Sequence, residues 1–228
     1  MKSYHIQRPD KVRTFAQNRM SDYYQPKIKK YGNSPRAVGW INSKNQQARF
    51  EAACDLVDFN NSSILDAGCG LGHFYGFLRD RCSDFSYTGV DLSCQMTEKA
   101  RSIFPEADFV NKDILTYTPG KNFDYAVSIG PYNVEVRDND AVMEGIIEKL
   151  FSVTEKGVAV SMTWQQGLPN VIHAFDADEI VSFCHTLTDN VYLRKNEELG
   201  DIIIYLYHDD SHKPQFKETS GYTPAVPY

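Results

Sequence analysis

The stretch "ILDAGCGLGHFYGFL", from Ile64 to Leu78, decides the fold of this chain. Its first part is an apolar run that closes on an acidic residue, Asp66, and its last part has the spacing of a helix. Three glycines occupy alternate positions between the two parts: Gly68, Gly70 and Gly72. A strand, a glycine loop and a helix in this order bring the backbone close to a ligand at the carboxyl edge of a parallel sheet. The stretch therefore predicts a site for a nucleotide-like ligand.

Two common glycine motifs do not fit the spacing of this loop. A Walker loop has the pattern G-x-x-x-x-G-K-[ST], and the required lysine is missing here. A dinucleotide-binding loop has the pattern G-x-G-x-x-G, whereas position 73 is His, so the third glycine comes one residue early. NAD binding, and a tight turn that holds no ligand, are therefore the weaker alternatives.

Strand and helix patterns alternate along the rest of the chain, with Ser93 and Asp176 as predicted helix N-caps. Strands are predicted at 62–67, 87–93, 107–115, 123–130, 157–163, 190–196 and 201–208. Helices are predicted at 45–59, 73–82, 94–104, 141–154 and 176–187. This order predicts an α/β fold with a doubly wound, mostly parallel, seven-stranded sheet, helices on both faces, and an antiparallel hairpin at the end.

The N-terminal segment differs from the rest of the chain in charge. Residues 1–50 contain eleven Lys and Arg residues and two acidic residues, a net charge of +9, whereas the remaining 178 residues carry −15. Because the first 35 residues lack an apolar period and contain three prolines, they are predicted to form an extension with one short helix. The expected organisation is a basic extension or lid over 1–44, a ligand-binding domain over 45–210 and a tail over 211–228.

Composition excludes several classes of protein. An apolar content of 42% and a charged content of 24% are typical of a soluble globular domain. No secretory signal and no apolar run long enough for a membrane span are visible, so a cytoplasmic protein is expected. The five cysteines form no C-x-x-C pair and the six histidines show no ligand spacing, so neither a disulfide framework nor a metal site is expected.

The acidic residue followed by G-x-G-x-G resembles the first motif of the class I S-adenosylmethionine-dependent methyltransferases. In that family a second acidic residue closes the second strand, where Asp91 in "YTGVDLS" matches, and a third follows the third strand, where Asp113 in "NKDIL" matches. The family's sheet also ends in an antiparallel hairpin. The resemblance covers roughly residues 45–208 and implies S-adenosylmethionine as cofactor, with S-adenosylhomocysteine as product.

The resemblance also implies roles for individual residues. Asp91 would accept hydrogen bonds from the two ribose hydroxyls, and Asp66 would face the ammonium of the cofactor. Asp113 would accept from the adenine amino group, with the backbone N–H of Ile114 facing a ring nitrogen. The remaining predicted contacts lie in the glycine loop, where the backbone passes close to the methionine part, and around the adenosine: Gly68, Cys69, Gly70, Leu92 and Met96. Phe74 could flank the adenosine or belong to the core.

The loop after the fourth strand, "SIGPYNVEV", lies beside the transferable methyl group in this family. Enzymes that act on amide or ring-bound amino nitrogens carry [DNS]-P-P-[YFW] there, and this chain keeps only the last proline and the aromatic residue. The departure argues against methylation of nucleobase or glutamine nitrogens. Ile129 and Gly130 are expected to contact the cofactor, and Tyr132 and Asn133 are the candidate catalytic residues.

The N-terminal segment is where the family keeps its substrate lid. The stretch from Tyr31 to Arg49 contains polar and aromatic residues suited to this purpose, including Arg36 and Gln46. Trp40 is expected to close over the pocket. Arg49, on the helix before the first strand, is expected to bind a carboxylate of the cofactor or of the substrate.

The acceptor is left open between two main interpretations. The first is a small molecule, with the basic lid reading an anionic substrate, and it is favoured. The second is a nucleic acid or protein, with residues 1–50 following phosphates and with Tyr23, Tyr24 and Tyr31 stacking on bases. A further alternative is another reaction of the same cofactor, such as transfer or cyclisation of its aminocarboxypropyl arm. The oligomeric state is not predicted.

Overall fold

The computed structural model of the chain describes residues 9–55, 57–136, 138–165, 171–212 and 223–224, and over 9–18 and 223–224 it describes only the backbone. Residues 1–8 lie outside the described residues. So does most of the predicted tail over 211–228, of which only 211–212 and 223–224 are described. None of the described helices is long and apolar enough to cross a membrane. All five cysteines are free.

One mixed sheet forms the centre of the molecule, with the strand order β3-β2-β1-β4-β5-β7-β6-β8. The first five strands of this order are parallel, and β7 runs antiparallel between β5 and β6. The strands are β1 Ser63–Ala67, β2 Ser86–Asp91, β3 Asp108–Asn111, β4 Phe123–Ile129, β5 Thr154–Thr163, β6 Val191–Asn196, β7 Asp201–Tyr207 and β8 Thr223–Pro224. The predicted doubly wound sheet with its terminal hairpin is confirmed.

Helices cover both faces of the sheet. The six α-helices are α1 Pro9–Tyr31, α2 Ser43–Cys54, α3 His73–Arg79, α4 Cys94–Ile103, α5 Asn139–Ser152 and α6 Ala177–Cys184. Ser93 and Asp176 cap α4 and α6 as predicted, because each side chain accepts a hydrogen bond from a backbone N–H in the first turn. The apolar faces of α5 and α6 pack on one side of the sheet, and those of α2, α3 and α4 pack on the other.

The prediction of one short N-terminal helix is wrong, because α1 runs for 23 residues. Pro26 lies inside this helix, where proline removes a backbone hydrogen bond. Tertiary packing compensates for that loss. Ile28 is buried and forms a small apolar cluster with Leu71 of the glycine loop and Met96 of α4. Helix α1 ends at Tyr31. The next residue, Gly32, has a φ of 64° and donates a hydrogen bond to the Ile28 carbonyl, which is typical of the glycine that terminates a helix.

Two other predicted boundaries differ from the structure. The helix predicted over 45–59 corresponds to α2, which begins at Ser43 and ends at Cys54. Val57 is buried as predicted, but it belongs to the loop after the helix. The segment predicted as a tail adds β8 to the sheet, where Thr223 pairs with Leu193 and Pro224 with Tyr192. A proline is tolerated at this position because β8 is the edge strand of the sheet.

Candidate functional site

The glycine loop lies at the carboxyl edge of the sheet and touches the loop that follows β4. Gly68 has a φ of 77°, and a Cβ built on it would lie 2.5 Å from Cβ and Cγ of Pro131. Glycine therefore meets two requirements at this position, a left-handed backbone and a close approach between two loops. The contact brings the ends of β1 and β4 together as one wall of a cleft.

The Asp91 carboxylate holds the middle of the glycine loop. Its Oδ2 accepts a hydrogen bond from the backbone N–H of Gly70 at 2.9 Å, and its Oδ1 accepts from the N–H of Ser93 at 2.8 Å. Burial raises the pKa of Asp91, and these two hydrogen bonds oppose the rise. The carboxylate is thus fixed at the end of β2, where it lines the cleft beside the loop.

Asp66 is a buried carboxyl group with an unusual titration. Its Oδ2 accepts a hydrogen bond from the Tyr87 hydroxyl at 2.5 Å, and the residue is 3% exposed. Burial raises the pKa of Asp66 to about 7, the Tyr87 hydrogen bond opposes this rise, and the charge of Asp91 adds to it. Because Asp66 also lines the cleft, a cation bound there would stabilise its charged form.

Asp113 and Ile114 lie where β3 has ended. The Asp113 side chain accepts a hydrogen bond from the N–H of Leu115 at 2.9 Å and caps the short 3-10 turn Ile114–Thr116. Both residues line the cleft. Together with Asp66 and Asp91, Asp113 places three carboxyl groups along the edge formed by three adjacent strands.

The loop after β4 forms a 3-10 turn over Pro131–Asn133. Tyr132 is buried. Burial raises the pKa of Tyr132 far above its ordinary value, and the negative charges of Asp91, Asp113 and Asp66 add to this rise. The Tyr132 hydroxyl is therefore neutral at physiological pH, when it can donate a hydrogen bond but cannot act as a phenolate base.

Trp40 lies against Gly130 in the same part of the cleft. A Cβ built on Gly130 would be 2.5 Å from Cη2 of the indole, so this glycine allows the ring to pack on the loop after β4. The guanidinium of Arg49 stacks on the indole, with its Cζ 4.4 Å from the ring centre. Trp40 is thus a wall residue of the cleft, as the lid prediction requires.

Arg49 and Asn133 are not among the residues that line the cleft. The Arg49 side chain is 7% exposed and forms an ion pair with Asp201 at the start of β7. The Asn133 side-chain oxygen accepts a hydrogen bond from the N–H of Thr163 at 3.0 Å. Both side chains are therefore engaged in internal contacts, and the roles predicted for them in carboxylate binding and catalysis gain no support from these contacts.

The cleft has a volume of about 1530 Å³ and brings together the other predicted site residues. Those that line it are Trp40, Asp66, Gly68, Cys69, Gly70, Asp91, Leu92, Met96, Asp113, Ile114, Ile129, Gly130 and Tyr132. Met96 is 3% exposed and its sulfur lies over Gly70, while Phe74 lines the cleft and also packs within the core. The volume exceeds the ~300–1,000 Å³ of an ordinary ligand pocket, which leaves room for a cofactor and an acceptor together.

The N-terminal segment supplies cleft residues that the sequence analysis did not place. Tyr24 of α1 lines the cleft, and burial and the charges of Tyr23 and Asp91 raise its pKa. Val38 lies over Gly70, with Cγ1 3.1 Å from the position of a built Cβ. No local sequence pattern marks either contact, because each depends on how α1 folds back over the glycine loop.

His73 joins three parts of the cleft wall. Its Nδ1 and the Nε2 of Gln46 are 3.0 Å apart, and its Nε2 and the Asn33 carbonyl oxygen are 2.9 Å apart. A neutral ring that accepts at Nδ1 and donates at Nε2 satisfies both contacts. Burial lowers the pKa of His73, which favours this neutral form. The residue therefore ties α2 and the segment after α1 to the start of α3.

The side of the cleft formed by α5 and α6 is acidic. Five carboxylate residues from α5, α6 and the segment before α5 line it: Asp138, Asp140, Glu144, Glu148 and Glu179. Lys112 is the only lysine or arginine among the described lining residues. Within the described part of the chain, no group of three His, Cys, Asp or Glu residues has a geometry that could hold a metal ion.

Comparison with known proteins gives a family match over the first strands of the sheet. Residues 64–157 match the family model described as a methyltransferase domain. The chain is 28% identical over 90 residues to putative methyltransferase 235L of Invertebrate iridescent virus 6, which covers 38% of this chain and 34% of that protein. It is 37% identical over 65 residues to trans-aconitate 2-methyltransferase of Escherichia coli O1:K1 / APEC, which covers 28% of this chain and 26% of that enzyme. The chain thus spans about a third or less of the length of these relatives.

The structural similarity to known proteins covers most of the chain. Magnesium protoporphyrin IX methyltransferase from Synechocystis PCC 6803, solved with bound S-adenosylhomocysteine, superposes with a TM-score of 0.62. The superposition covers 85% of this chain and 100% of that one at 13% sequence identity. At this identity the match establishes the common fold.

Proposed function

We propose that this chain is a class I S-adenosylmethionine-dependent methyltransferase, and that it transfers the methyl group of S-adenosylmethionine to a small-molecule acceptor. The observation that carries the proposal is the row of three carboxyl groups along one cleft. Asp66, Asp91 and Asp113 lie at or just beyond the carboxyl ends of three adjacent parallel strands, and all line the cleft beside the glycine loop.

The described residues fit the chemical groups of this cofactor one by one. Asp91 is already oriented by two backbone N–H groups, and a carboxylate there can accept from vicinal ribose hydroxyls. Asp66 has one oxygen held by Tyr87, which leaves the other for an ammonium group. Asp113 stands at the end of the row, where it can accept from the adenine amino group. The polar groups of the cofactor thus have complementary partners in the same order along the sheet edge.

The chain's own part in the reaction is to bind, orient and exclude water. When bound, S-adenosylmethionine supplies a methyl group on a positively charged sulfur. The acceptor would attack the methyl carbon in line with the carbon–sulfur bond, and the neutral sulfur would leave. The loop from Ile129 to Tyr132 and the indole of Trp40 line the same cleft and would enclose the methyl group of the bound cofactor. The neutral Tyr132 hydroxyl can orient an acceptor by donating a hydrogen bond. Positioning and desolvation therefore account for the catalysis that these residues can supply.

The charge of the cleft favours a neutral or cationic small acceptor. The α5 and α6 side of the cleft contributes five carboxylates, and Lys112 is the only lysine or arginine among the described lining residues, so an anionic acceptor would be repelled. The expectation that a basic lid reads an anionic substrate therefore loses its support. Nucleic acid is disfavoured for the same reason, and Arg49 of the basic segment is buried in an ion pair.

A product assay tests the proposed function. The purified chain is incubated with S-adenosylmethionine labelled in the methyl group, together with fractions of a small-molecule extract or an RNA extract. We expect S-adenosylhomocysteine to form only with a small-molecule fraction, and the label to appear in a molecule that is not anionic. Methylthioadenosine as the product would mean that another sulfur–carbon bond is cleaved and would refute methyl transfer. Label in RNA would refute the acceptor class.

A further inference from the structure

A buried polar network that includes Arg49 lies behind Trp40, which is part of the cleft wall. Arg49 forms an ion pair through its Nε with Oδ2 of Asp201, and both side chains are less than 10% exposed (7% and 6%). Oδ1 of Asp201 accepts a hydrogen bond from the Thr163 hydroxyl at 3.2 Å. The backbone N–H of Thr163 donates to the side chain of Asn133 at 3.0 Å. The network therefore joins α2, β7, β5 and the loop after β4.

The two ends of this network hold the two sides of Gly130. At one end, the Arg49 guanidinium stacks on Trp40, whose indole packs against Gly130. At the other end, Asn133 closes the turn that carries Pro131 and Tyr132. Arg49 itself is fixed by donating to the backbone oxygen of Asn45 at 2.9 Å and to its side-chain oxygen at 2.7 Å. The indole is consequently supported by a guanidinium that cannot easily move.

The charges of the network matter for what the indole can bind. A guanidinium on one face of an aromatic ring would by itself repel a second cation on the opposite face. The carboxylate of Asp201 cancels the formal charge of Arg49, so the pair as a whole is neutral. The electron-rich indole can then attract a cation from the cleft side. The cation in question is the sulfonium of S-adenosylmethionine, whereas S-adenosylhomocysteine has a neutral sulfur.

We propose that Trp40 contacts the sulfonium end of the cofactor, and that Arg49 and Asp201 are positioning residues that hold its indole against Gly130 as a charge-balanced pair. The proposal rests on the proposed function, since it requires the cofactor to lie in this cleft. It gives Arg49 a role that acts through Trp40, in place of direct binding to a carboxylate.

The test compares the affinities of the two ligands by calorimetric titration. Asp201→Asn keeps the shape of the side chain and removes its charge, which leaves an unbalanced cation behind the ring. We expect this variant, and Trp40→Leu, to weaken S-adenosylmethionine binding about three- to ten-fold more than S-adenosylhomocysteine binding. Arg49→Lys retains the charge balance, so we expect it to keep most of the parent's ratio.

The chain offers a matched control in the exposed ion pair between Arg194 and Asp55. This pair also joins the C-terminal end of α2 to the terminal hairpin, but neither residue lines the cleft. Asp55→Asn removes the same charge from the same kind of pair, and we expect it to leave the ratio of the two affinities unchanged. A general effect of loosening α2 would change both variants alike.

A second readout follows the indole without any ligand. The chain has two tryptophans, so Trp164→Phe leaves Trp40 as the only one. In that background we expect Asp201→Asn to increase acrylamide quenching of the Trp40 fluorescence, and Asp55→Asn to leave it unchanged.

The outcomes separate this proposal from the proposed function. If the parent binds neither ligand, the proposed function fails. If the parent binds both, and Asp201→Asn and Trp40→Leu keep the parent's affinity ratio within two-fold, the positioning role is overturned. Should Asp201→Asn fail to fold, Trp40→Leu, which leaves the ion pair intact, decides the sulfonium contact. The support is then decided by Arg49→Gln in the Trp164→Phe background, where unchanged acrylamide quenching of Trp40 would overturn the positioning role.

Discussion

Lowering the pH from 8 to 6 should weaken S-adenosylhomocysteine binding about ten-fold through the titration of Asp66. Burial raises the pKa of Asp66 to about 7, and the proposed partner of its carboxylate is the ammonium of the bound amino acid. Only the ionised carboxylate makes this contact. About nine tenths of Asp66 is ionised at pH 8 and about one tenth at pH 6, so the apparent affinity follows that fraction.

Calorimetry in buffers of different ionisation enthalpy measures this effect as proton release. At pH 6 the parent should release close to one proton for each S-adenosylhomocysteine bound, and at pH 8 almost none. Asp66→Asn should bind more weakly at pH 8 and show little change between the two pH values. Methylthioadenosine, which lacks the amino-acid part, is the matched control ligand, and its affinity should change much less with pH.

The Tyr87 hydroxyl provides an independent check on the same titration. Its hydrogen bond opposes the rise in the pKa of Asp66, so Tyr87→Phe should move the midpoint of the pH dependence above 7. The role given to Asp66 is refuted if the affinity for S-adenosylhomocysteine does not change between pH 6 and pH 8 in the parent. It is equally refuted if Asp66→Asn keeps the full pH dependence.

Two further predictions concern the loop and the lid. Gly68→Ala should abolish ligand binding and lower the melting temperature by a few degrees. The reason is that a Cβ at this position would collide with Pro131, and that the left-handed backbone costs about 1–2 kcal/mol for a residue with a Cβ. Gly120→Ala is the control, because a Cβ there meets nothing within 4 Å, and it should change neither property. The pKa of His73 is lower in the folded chain than in the unfolded chain, so the unfolded chain takes up the proton first as the pH falls. The free energy of unfolding should therefore decrease as the pH drops from about 6.5 through the pKa of the folded state. Hydrogen exchange of the α1 amides should become faster over that pH range in the parent, and this exchange should depend much less on pH in His73→Phe. Equal pH dependence of the exchange in both proteins would contradict the role given to the His73–Gln46 contact.

The strand-end carboxylates can be predicted because their positions follow from local sequence. Each is close to an apolar strand that ends in a loop, and parallel strands bring all such ends to one edge of the sheet. Asp66, Asp91 and Asp113 therefore line one cleft as expected. The glycine at position 68 is predictable for the same reason, although its contact with Pro131 is not.

Arg49 and Asn133 show where the sequence stops being informative. Asp201, the partner of Arg49, lies more than 150 positions along the chain, and Thr163, the partner of Asn133, lies 30 positions away. No local pattern marks either pairing. The length of α1 escapes prediction for a related reason, because Pro26 argues locally for a break while Ile28 is held by tertiary contacts with Leu71 and Met96.

The most direct measurement of the central claim is a calorimetric titration of the full chain with S-adenosylmethionine at pH 8, repeated with Asp91→Ala and with NADH as the ligand. We expect that one molecule of S-adenosylmethionine binds per chain, that Asp91→Ala loses most of this affinity, and that NADH does not bind. Unchanged S-adenosylmethionine binding in Asp91→Ala, or no binding by the parent, would contradict the assignment of this cleft.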